Sequence, residues 1–582
     1  MKFQDKVILI TGSGTGIGMT VAKKFVENGA SVIILGRRRE PLEDTSKMLT
    51  EIINENNSNG FVKIFSGVDV SDEKSVTDMF DSLKNEGINV DVVVNNAGVS
   101  GPVTCFSHAP LDDFRSTVDI HLTGTFWTSV QALKVMKEGA KIITISTFFA
   151  EERPLEQRPY RFRGPYTASQ GAKNRLVEAM SWELTEKGIV SIGTNPGPVH
   201  SDRIYKTVYP KAASEFLRVS GFEELEPSDV EAANNEIVGL LGEEEDTIKN
   251  GIKAAAEKLG KQESTLTNLL NKVQSIAEKI QRNTSTMIPD QQFLSQNQVA
   301  TTVLTLAGDD QAKILNGKII PGDRVFYPVR SHITTIPATV KQHDYSSKIA
   351  VLTIDATDDE DAKRAEEIAS NIEANGGQAI CFISDKCSKE IQDSITNKFH
   401  SHVINFSNNE EITRWFTTAK SKGDIEVFIH ITGKVPSISK LTELSRSEWD
   451  NLTDKFINIP AAVSQNAMGI FVPNGSDDPR LFKDAYGRIV IIGPDLPYGK
   501  KIGGDQRAKI EVFRGALRPF ATTVNQELSD VLKSNVRAFL VLAGTVDGKE
   551  PSNTRITDAI NQLISEDSRS SAEVIFCPDE SR

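Results

Sequence analysis

The chain has 582 residues, of which 38% are hydrophobic and 25% are charged, and a formal net charge of −13 at pH 7. This length allows about three or four domains, and the composition is that of an ordinary soluble globular protein. A net negative charge argues against a general nucleic-acid-binding surface, and no apolar run reaches the ~18 residues that a membrane-spanning helix needs.

Two further features bear on location and on metals. The N-terminal residues contain no apolar signal region, so we expect a cytoplasmic protein that binds neither a membrane nor nucleic acid. The four cysteines are too few and too scattered to indicate a disulfide framework or a zinc site. We therefore expect no bound metal ion.

Strand-like and helix-like runs alternate in the N-terminal third of the sequence. Short apolar runs, each typical of a strand, occur at 6–10, 31–35, 90–94 and 141–145. Alternation of this kind predicts parallel strands that are joined by helices.

The character changes at 204–290, where the sequence becomes charged and helix-forming. The apolar residues at helical spacing are Leu266, Leu269, Leu270, Val273, Ile276, Ala277 and Ile280. They predict an amphipathic helix that packs as a core or lid element, with a partner-binding helix as the alternative. Strand-and-turn character returns from Val303 to Ile320. We expect a first domain at 1–203 and 291–335, with 204–290 as a helical insertion or lid.

A second alternating region follows a polar linker at 343–347. Its strand-like runs, which resemble the first set in order and spacing, are 348–352, 378–383, 425–431 and 488–492. We infer a diverged duplication, with a second domain at 346–582.

A glycine-rich loop follows the first predicted strand and opens the first predicted helix. Glycines allow a tight turn and close approach of a pyrophosphate, which then lies at the helix N-terminus. A flexible loop is the alternative, but the strand before it and the helix after it favour a dinucleotide site. The residues predicted to contact the cofactor are Gly12, Ser13, Gly14, Thr15, Gly16, Ile17 and Gly18.

The end of the second predicted strand indicates which dinucleotide binds. An acidic residue there would bind the ribose hydroxyls of NAD, but this strand ends in Gly36-Arg37-Arg38-Arg39. Guanidinium groups suit a 2′-phosphate, so we expect NADPH to bind through Arg37 and Arg38. A solvated basic turn is the alternative.

The second region lacks these features. Its first strand runs into 356–361, which has no glycine loop and whose four acids would repel a pyrophosphate. We expect this half to bind no dinucleotide and to serve packing, dimerisation or lid support. The sequence thus predicts an α/β protein with tandem Rossmann-like, doubly wound parallel sheets, the first with a helical insertion and the second degenerate.

Several motifs, in this order, resemble those of the short-chain dehydrogenase/reductase family. They are Thr11 to Gly18, Asp69-Val70, Asn95-Asn96-Ala97-Gly98, a segment centred on Tyr166, and Asn195-Pro196-Gly197. The resemblance covers 1–200 and resumes at 297–323. It implies that Asp69 caps the adenine pocket and that Asn95 and Gly98 shape the strand beside the cofactor. The cofactor contacts that it implies are Asp69, Val70, Asn95, Ala97, Gly98, Pro196 and Gly197.

The family's catalytic set of Asn, Ser, Tyr and Lys is matched only in part. Tyr166 is in place, Thr147 has the hydroxyl position, Gln170 replaces Lys and His121 replaces Asn. The resemblance implies that Tyr166 and Thr147 hydrogen-bond the substrate oxygen. Gln170 would contact the nicotinamide ribose, and His121 would either orient a water or backbone group or serve packing.

The chain is also similar to the C-terminal, thioester-reducing part of the bifunctional malonyl-CoA reductases. The similarity lies in the segment 195–203, the helical insertion, the degenerate second half and the long stretch before Tyr166. It implies a homodimer that uses NADPH to reduce an acyl-CoA, with malonyl-CoA converted to malonate semialdehyde and CoA released. An ordinary carbonyl or semialdehyde reductase and a non-catalytic NADP-binding protein remain alternatives.

Arginines are concentrated in the segment that leads into Tyr166. Such cations suit the phosphates of coenzyme A or a substrate carboxylate, although a solvated basic loop is an equal alternative. The candidate substrate-binding residues are Arg153, Arg158, Arg161, Arg163 and, outside this segment, Arg203.

Overall fold

The chain forms two seven-stranded sheets in which all paired strands are parallel. The predicted α/β class with two Rossmann-like sheets is confirmed. The computed structural model describes residues 2–150, 161–199, 208–222, 225–286, 288, 290–322, 339–436, 440–472, 478–495, 504–543, 552–565 and 574–577.

The first sheet has the strand order β3-β2-β1-β4-β5-β6-β7. Its strands are β1 (Val7–Thr11), β2 (Ser31–Gly36), β3 (Val62–Ser66), β4 (Val92–Asn95), β5 (Lys141–Ile145), β6 (Val190–Pro196) and β7 (Ile319–Gly322). The sheet grows in one direction from β1 to β3 and in the other from β4 onward. The switch point therefore lies between β1 and β4, where ligands of open parallel sheets bind.

Helices cover both faces of this sheet. They are α1 (Gly16–Glu27), α2 (Arg39–Glu55), α3 (Glu73–Asn85), α4 (Leu111–Val118), α5 (Gly124–Ala132), α6 (Gly164–Leu184), α11 (Gln296–Leu306) and α12 (Asp309–Ile314), with α7 to α10 between α6 and α11. Leu9 packs into one apolar cluster, whereas its neighbours Ile8 and Ile10 pack into another on the opposite face. Burial on both faces explains the continuous apolar runs of these strands.

The region between β6 and β7 contains the predicted helices. They are α7 (Tyr209–Ser220), α8 (Pro227–Ile237), α9 (Glu245–Leu259) and α10 (Glu263–Ser285). The predicted apolar face of α10 is buried in a separate core that these four helices share. The helix is thus a core element of the insertion.

The expected strand-and-turn character from Val303 onward is wrong for most of that segment. Val303 and Leu306 lie in α11, and only the last residues of the segment enter β7. Val299, Ala300, Val303 and Leu306 are buried at helical spacing, and the helix packs against α1. Burial of that face outweighs the strand preference of valine and threonine.

The second sheet repeats the first strand by strand, in the order β10-β9-β8-β11-β12-β13-β14. Its strands are β8 (Ile349–Ile354), β9 (Gln378–Ser384), β10 (His400–Ile404), β11 (Ile425–Ile431), β12 (Tyr486–Ile492), β13 (Asn535–Ala543) and β14 (Val574–Cys577). Its helices are α13 (Asp359–Ala374), α14 (Lys389–Thr396), α15 (Asn409–Lys420), α16 (Arg446–Thr453), α17 (Ile459–Phe471), α18 (Gly504–Gln526) and α19 (Asn553–Ile564). A repeated order of this kind supports the inferred duplication.

The two halves share one hydrophobic core, which is centred on α6 and α18. The helices approach so closely at Gly171 that a Cβ there would lie 2.0 Å from the carbonyl oxygen of Gly515. Nearby, Phe126 and Trp449 stack with their ring centroids 3.7 Å apart. No described helix is long and apolar enough to cross a membrane.

Candidate active site

The glycine-rich loop lies at the carboxyl ends of β1 and β4, where it turns into α1. Gly12 and Gly16 have φ values of +65° and +62°, which glycine adopts without strain. A Cβ at Gly12 would lie 2.9 Å from the Cα of Ala97, and one at Gly18 would lie 2.5 Å from the carbonyl oxygen of Gly12. The loop can therefore pack closely on β4 and still leave the N-terminus of α1 for an anion.

Two residues that sequence reasoning missed hold this loop in place. The Thr11 hydroxyl accepts hydrogen bonds from the backbone N–H groups of Asn96 and Ala97, both at 2.9 Å. The Asn96 amide donates to the carbonyl oxygens of Thr11 at 2.9 Å and Gly12 at 3.2 Å. Thr11 and Asn96 both lie inside motifs that resemble those of the family, and this was the signal in the sequence that could have identified them.

Residues of the loop differ in what they offer a ligand. The buried Ser13 hydroxyl donates to Ile10 O at 2.8 Å and accepts from Leu35 N–H at 3.0 Å, so it stabilises the loop itself. Thr15 is exposed at the N-terminus of α1 and its side chain does not cap the helix. Gly14 accepts a hydrogen bond from the Thr45 hydroxyl at 3.1 Å, and Ile17 is half-buried.

The tip of β2 presents two exposed arginines. Arg37 lies 3.7 Å from Asp69, whose other oxygen accepts hydrogen bonds from the Ser71 N–H at 2.9 Å and hydroxyl at 2.6 Å. Arg38 is exposed just before α2, whereas Arg39 pairs with Glu43 along that helix. Arg37, Arg38 and Asp69 therefore lie together where the family resemblance places the adenine end of the cofactor.

Three other predicted cofactor residues support the site from within the fold. The buried Asn95 amide donates to the Ser129 hydroxyl at 2.9 Å. Val70 packs on Gly124, where a Cβ would lie 2.8 Å from its side chain. Pro196 ends β6 and, just before Gly197, lines a cavity of about 510 Å³ together with residues of α11 and β7.

The two residues that depart from the family pattern contact each other. His121 is buried in a π-helical turn (Asp119–Thr123) between α4 and α5, and its Nε2 lies 2.8 Å from the carbonyl oxygen of Val99 and 3.3 Å from the Val99 nitrogen. Its Nδ1 lies 3.4 Å from the Gln170 amide nitrogen, and the Gln170 amide oxygen accepts from the Ser146 hydroxyl at 3.2 Å. The imidazole and the amide thus belong to one hydrogen-bonded chain.

Gly98 is the residue that lets this imidazole enter the site. A Cβ at Gly98 would lie 2.4 Å from the His121 ring. Gly98 therefore shapes the site through His121 as well as through the strand.

Tyr166 is half-buried in the first turn of α6. Its ring meets the His121 ring edge-on with the centroids 5.3 Å apart, and the guanidinium carbon of Arg163 lies 3.8 Å from its centroid. Thr147 is buried just after β5, at the carboxyl edge of the sheet on which the glycine loop lies. The phenol is therefore placed beside the dinucleotide loop, between a histidine and an arginine.

The structure places the predicted substrate arginines in different environments. Arg163 is only 6% exposed and donates to the Ser100 carbonyl at 2.6 Å, so it faces Tyr166 more than solvent. Arg161 pairs with Asp530 of the second half at 2.8 Å. Arg153, Arg158 and Arg203 lie outside the described residues.

The corresponding edge of the second sheet is filled by ion pairs. Asp355 pairs with Lys455 at 3.1 Å, Asp358 with Lys434 at 3.0 Å, and Asp495 with the buried Arg364. The aspartates follow β8 and β12, and Lys434 follows β11, so the pairs lie at the carboxyl edge that corresponds to the switch point of the first sheet. The residues that the structure describes contain no cluster of His, Cys, Asp and Glu that could hold a metal ion.

Known proteins match the first half in sequence. The family model for short chain dehydrogenase matches residues 6–209. A 3alpha-hydroxysteroid dehydrogenase of Mediterraneibacter gnavus is 32% identical over 206 residues, which are 35% of this chain and 78% of that protein. A 7alpha-hydroxysteroid dehydrogenase of Escherichia coli K12 is 26% identical over 233 residues, 40% of this chain and 86% of that protein.

Known structures match the whole chain in fold. The NADP-bound C-domain of a bacterial malonyl-CoA reductase superposes with a TM-score of 0.75 at 18% identity, over 99% of both chains. The NADP-bound N-domain of a bacterial malonyl-CoA reductase superposes with a TM-score of 0.71 at 16% identity, over 99% of this chain and 98% of that one. From the sequence relatives and the family match, the chain belongs to the short chain dehydrogenase family of oxidoreductases.

Proposed function

We propose that the protein uses NADPH to reduce an acyl-CoA thioester, and that the reaction is conversion of malonyl-CoA to malonate semialdehyde with release of CoA. The supporting observation is the combination of a Tyr166-centred site beside the glycine loop with a fold that is similar, along the whole chain, to malonyl-CoA reductase domains. The coenzyme A moiety is anionic, and Arg153, Arg158, Arg161 and Arg203 are the proposed contacts for its phosphates or for the malonyl carboxylate. Arg163 is not among them, because it is buried against the Tyr166 ring.

The residues present fit NADP(H). Gly16 leaves open space at the N-terminus of α1, since nothing lies within 4 Å of a Cβ added there, and Arg37 and Arg38 suit a 2′-phosphate. When bound there, the cofactor supplies the hydride. Asp69, Val70, Asn95, Ala97, Gly98, Pro196 and Gly197 would shape the remaining walls.

The chain's own groups then stabilise charge on the substrate. Hydride addition to the thioester carbon turns the carbonyl oxygen into an oxyanion, which the hydroxyls of Tyr166 and Thr147 can hydrogen-bond. When the carbonyl re-forms, the C–S bond breaks and the CoA thiolate takes a proton from solvent. An ordinary reductase must deliver a proton to the alkoxide of its alcohol product. Thioester reduction needs no such proton on the carbonyl oxygen, so it is compatible with a neutral amide at position 170.

Two other functions have specific support. The hydroxysteroid dehydrogenases among the relatives favour an ordinary carbonyl reductase. Gln170 and His121, which replace the family's Lys and Asn, favour a protein that binds NADP without catalysis.

A screen of NADPH oxidation across acyl-CoAs and aldehydes, with free thiol recorded in parallel, separates the three functions. We expect oxidation and thiol release with malonyl-CoA, and a fall on the order of 10²-fold or more in Tyr166→Phe, as for loss of an oxyanion donor. Oxidation with aldehydes but without thiol release from any acyl-CoA would establish the ordinary reductase. NADPH binding without any turnover would establish the non-catalytic protein.

A further inference from the structure

We propose that Arg163 supplies, beside Tyr166, the positive charge that position 170 lacks. Arg163 would be a positioning residue that acts through Tyr166. The inference rests on the proposed function in taking Tyr166 as the hydroxyl that contacts the substrate oxygen.

The contact between the two side chains is close and dry. The guanidinium carbon of Arg163 lies 3.8 Å from the Tyr166 ring centroid, and Arg163 is only 6% exposed. A cation on a ring face is attracted to the ring, and the attraction is stronger where water is excluded. The same cation stabilises negative charge on the phenol oxygen and strengthens its hydroxyl as a donor.

The backbone directs Arg163 onto the ring. Phe162 has a φ of +67°, a conformation that bulky residues seldom adopt and that the surrounding structure must impose. Its carbonyl accepts from Thr104 N–H at 3.0 Å, and its own N–H donates to Glu527 at 2.9 Å. The Arg163 guanidinium is fixed in turn by Ser100, so the arrangement does not depend on one flexible side chain.

Among the residues that the structure describes, the other groups around Tyr166 do not provide this charge. Gln170 is neutral, and its amide is engaged by His121 and Ser146. Glu527, on the far side of Phe162, is an acid. Within the described residues, no other Lys or Arg contacts the Tyr166 ring.

Four variants test the inference through turnover. Arg163→Gln should lower kcat for thioester reduction by about tenfold or more while KM changes by less than about threefold. Gln170→Lys in the same chain should restore most of that loss, because it returns a cation to the phenol from the opposite side. In a Tyr166→Phe background, Arg163→Gln should have no further effect, since the two residues act as a unit. Arg414→Gln, at an exposed arginine that lies over the Trp415 ring in the second half, is the control.

Several results would overturn the inference about Arg163. A rise in KM for the acyl-CoA at unchanged kcat would make Arg163 a substrate-binding residue. Failure of Gln170→Lys to rescue would make its role structural. Melting and NADPH binding show whether Arg163→Gln folds. If it does not fold, Gln170→Lys in the wild-type background is the test. A gain of about tenfold in thioester reduction would overturn the inference, because it would show that no cation already acts on Tyr166, and an unchanged rate would support it.

Tyrosine absorbance at a fixed pH tests the same inference without turnover. At pH 7, the absorbance band that disappears in Tyr166→Phe should shift in Arg163→Gln, because a cation on the ring face perturbs the absorbance of the phenol. An unshifted band would overturn the inference. If the wild type turns over no substrate but this band shifts, the proposed function fails and the inference stands.

Discussion

Lys173 is buried on α6, about one turn beyond Gln170. It is 1% exposed, and burial lowers the pKa of its ammonium to about 7. Within the described residues no carboxylate pairs with it. It lies about 10.5 Å along the helix axis from Tyr166, against about 6 Å for residue 170, so it is too far to replace the missing lysine directly.

Lys173→Met should therefore stabilise the protein without loss of activity. Methionine has a similar length and leaves no buried amine, so we expect urea unfolding at pH 7 to give a gain of about 1 kcal/mol or more. The folded pKa lies below the unfolded one, so the unfolded chain binds more protons between about pH 7 and pH 10.5. The advantage of the variant should be greatest at and below pH 7 and should shrink as the pH rises through that window.

The matched control for this prediction is Lys137→Met at an exposed position of the same half. It should change stability by less than about 0.5 kcal/mol. A Lys173→Met variant that folds and binds NADPH but has lost turnover would show that Lys173 takes part in the reaction after all.

At the scale of elements, a π-helical turn of the second half (Glu527–Val531) holds the approach to Tyr166. The buried carboxyl of Glu527 accepts from the backbone N–H groups of Phe106 at 2.6 Å and Phe162 at 2.9 Å. On the same turn, Asp530 pairs with Arg161. The degenerate half thus contributes directly to the geometry of the first half's site.

Glu527→Gln should loosen this approach, because one of the two N–H groups would face the amide nitrogen. We expect lower kcat and a destabilisation of about 1–3 kcal/mol near neutral pH. Burial raises the pKa of Glu527 to about 8, above its ordinary value, so the folded state binds more protons than the unfolded state up to that pH. The free energy by which the wild type is more stable than the variant should therefore shrink as the pH rises towards 8.

Asp530→Asn is the control on the same turn. It removes an exposed ion pair, which should matter by less than about 1 kcal/mol. Equal effects of the two substitutions on turnover, measured alongside melting at pH 5, 7 and 9, would contradict a special role for Glu527.

Local patterns predicted much of the fold and part of the site. The strands were predictable because burial on both faces makes them continuous apolar runs, and the glycine loop because positive φ values require glycine. Contacts between distant segments could not be predicted, because spacing along the chain does not encode them. The stacking of Arg163 on Tyr166 depends on the unusual φ of Phe162, and that in turn depends on Glu527, more than 300 residues away.

The same limit applied to the second half. Its sequence showed the acids of the ion-pair network but not the cations that pair with them. The acidic run that begins at Asp358 argued against a pyrophosphate, but its partner Lys434 comes from another segment. The strand prediction that failed, at Val303, was wrong because apolar residues at helical spacing were taken as strand residues.

At the scale of the whole molecule, the two sheets have the same strand order and share one core, but the glycine loop that follows the first strand of the first sheet is replaced by four acids at 358–361 in the second. In the second, Lys434, Lys455 and Arg364 neutralise the aspartates at the strand ends. One half is thus expected to bind the cofactor, and the other to support it.

Calorimetric titration with NADPH tests this division most directly. We expect one NADPH per wild-type chain and none in Gly12→Val, whose side chain would meet Ala97 at a positive φ. Gly87→Ala, a substitution at a positive-φ glycine with nothing within 4 Å of the added Cβ, is the control and should still bind one. Two NADPH per wild-type chain, or one remaining in a folded Gly12→Val protein, would contradict the account.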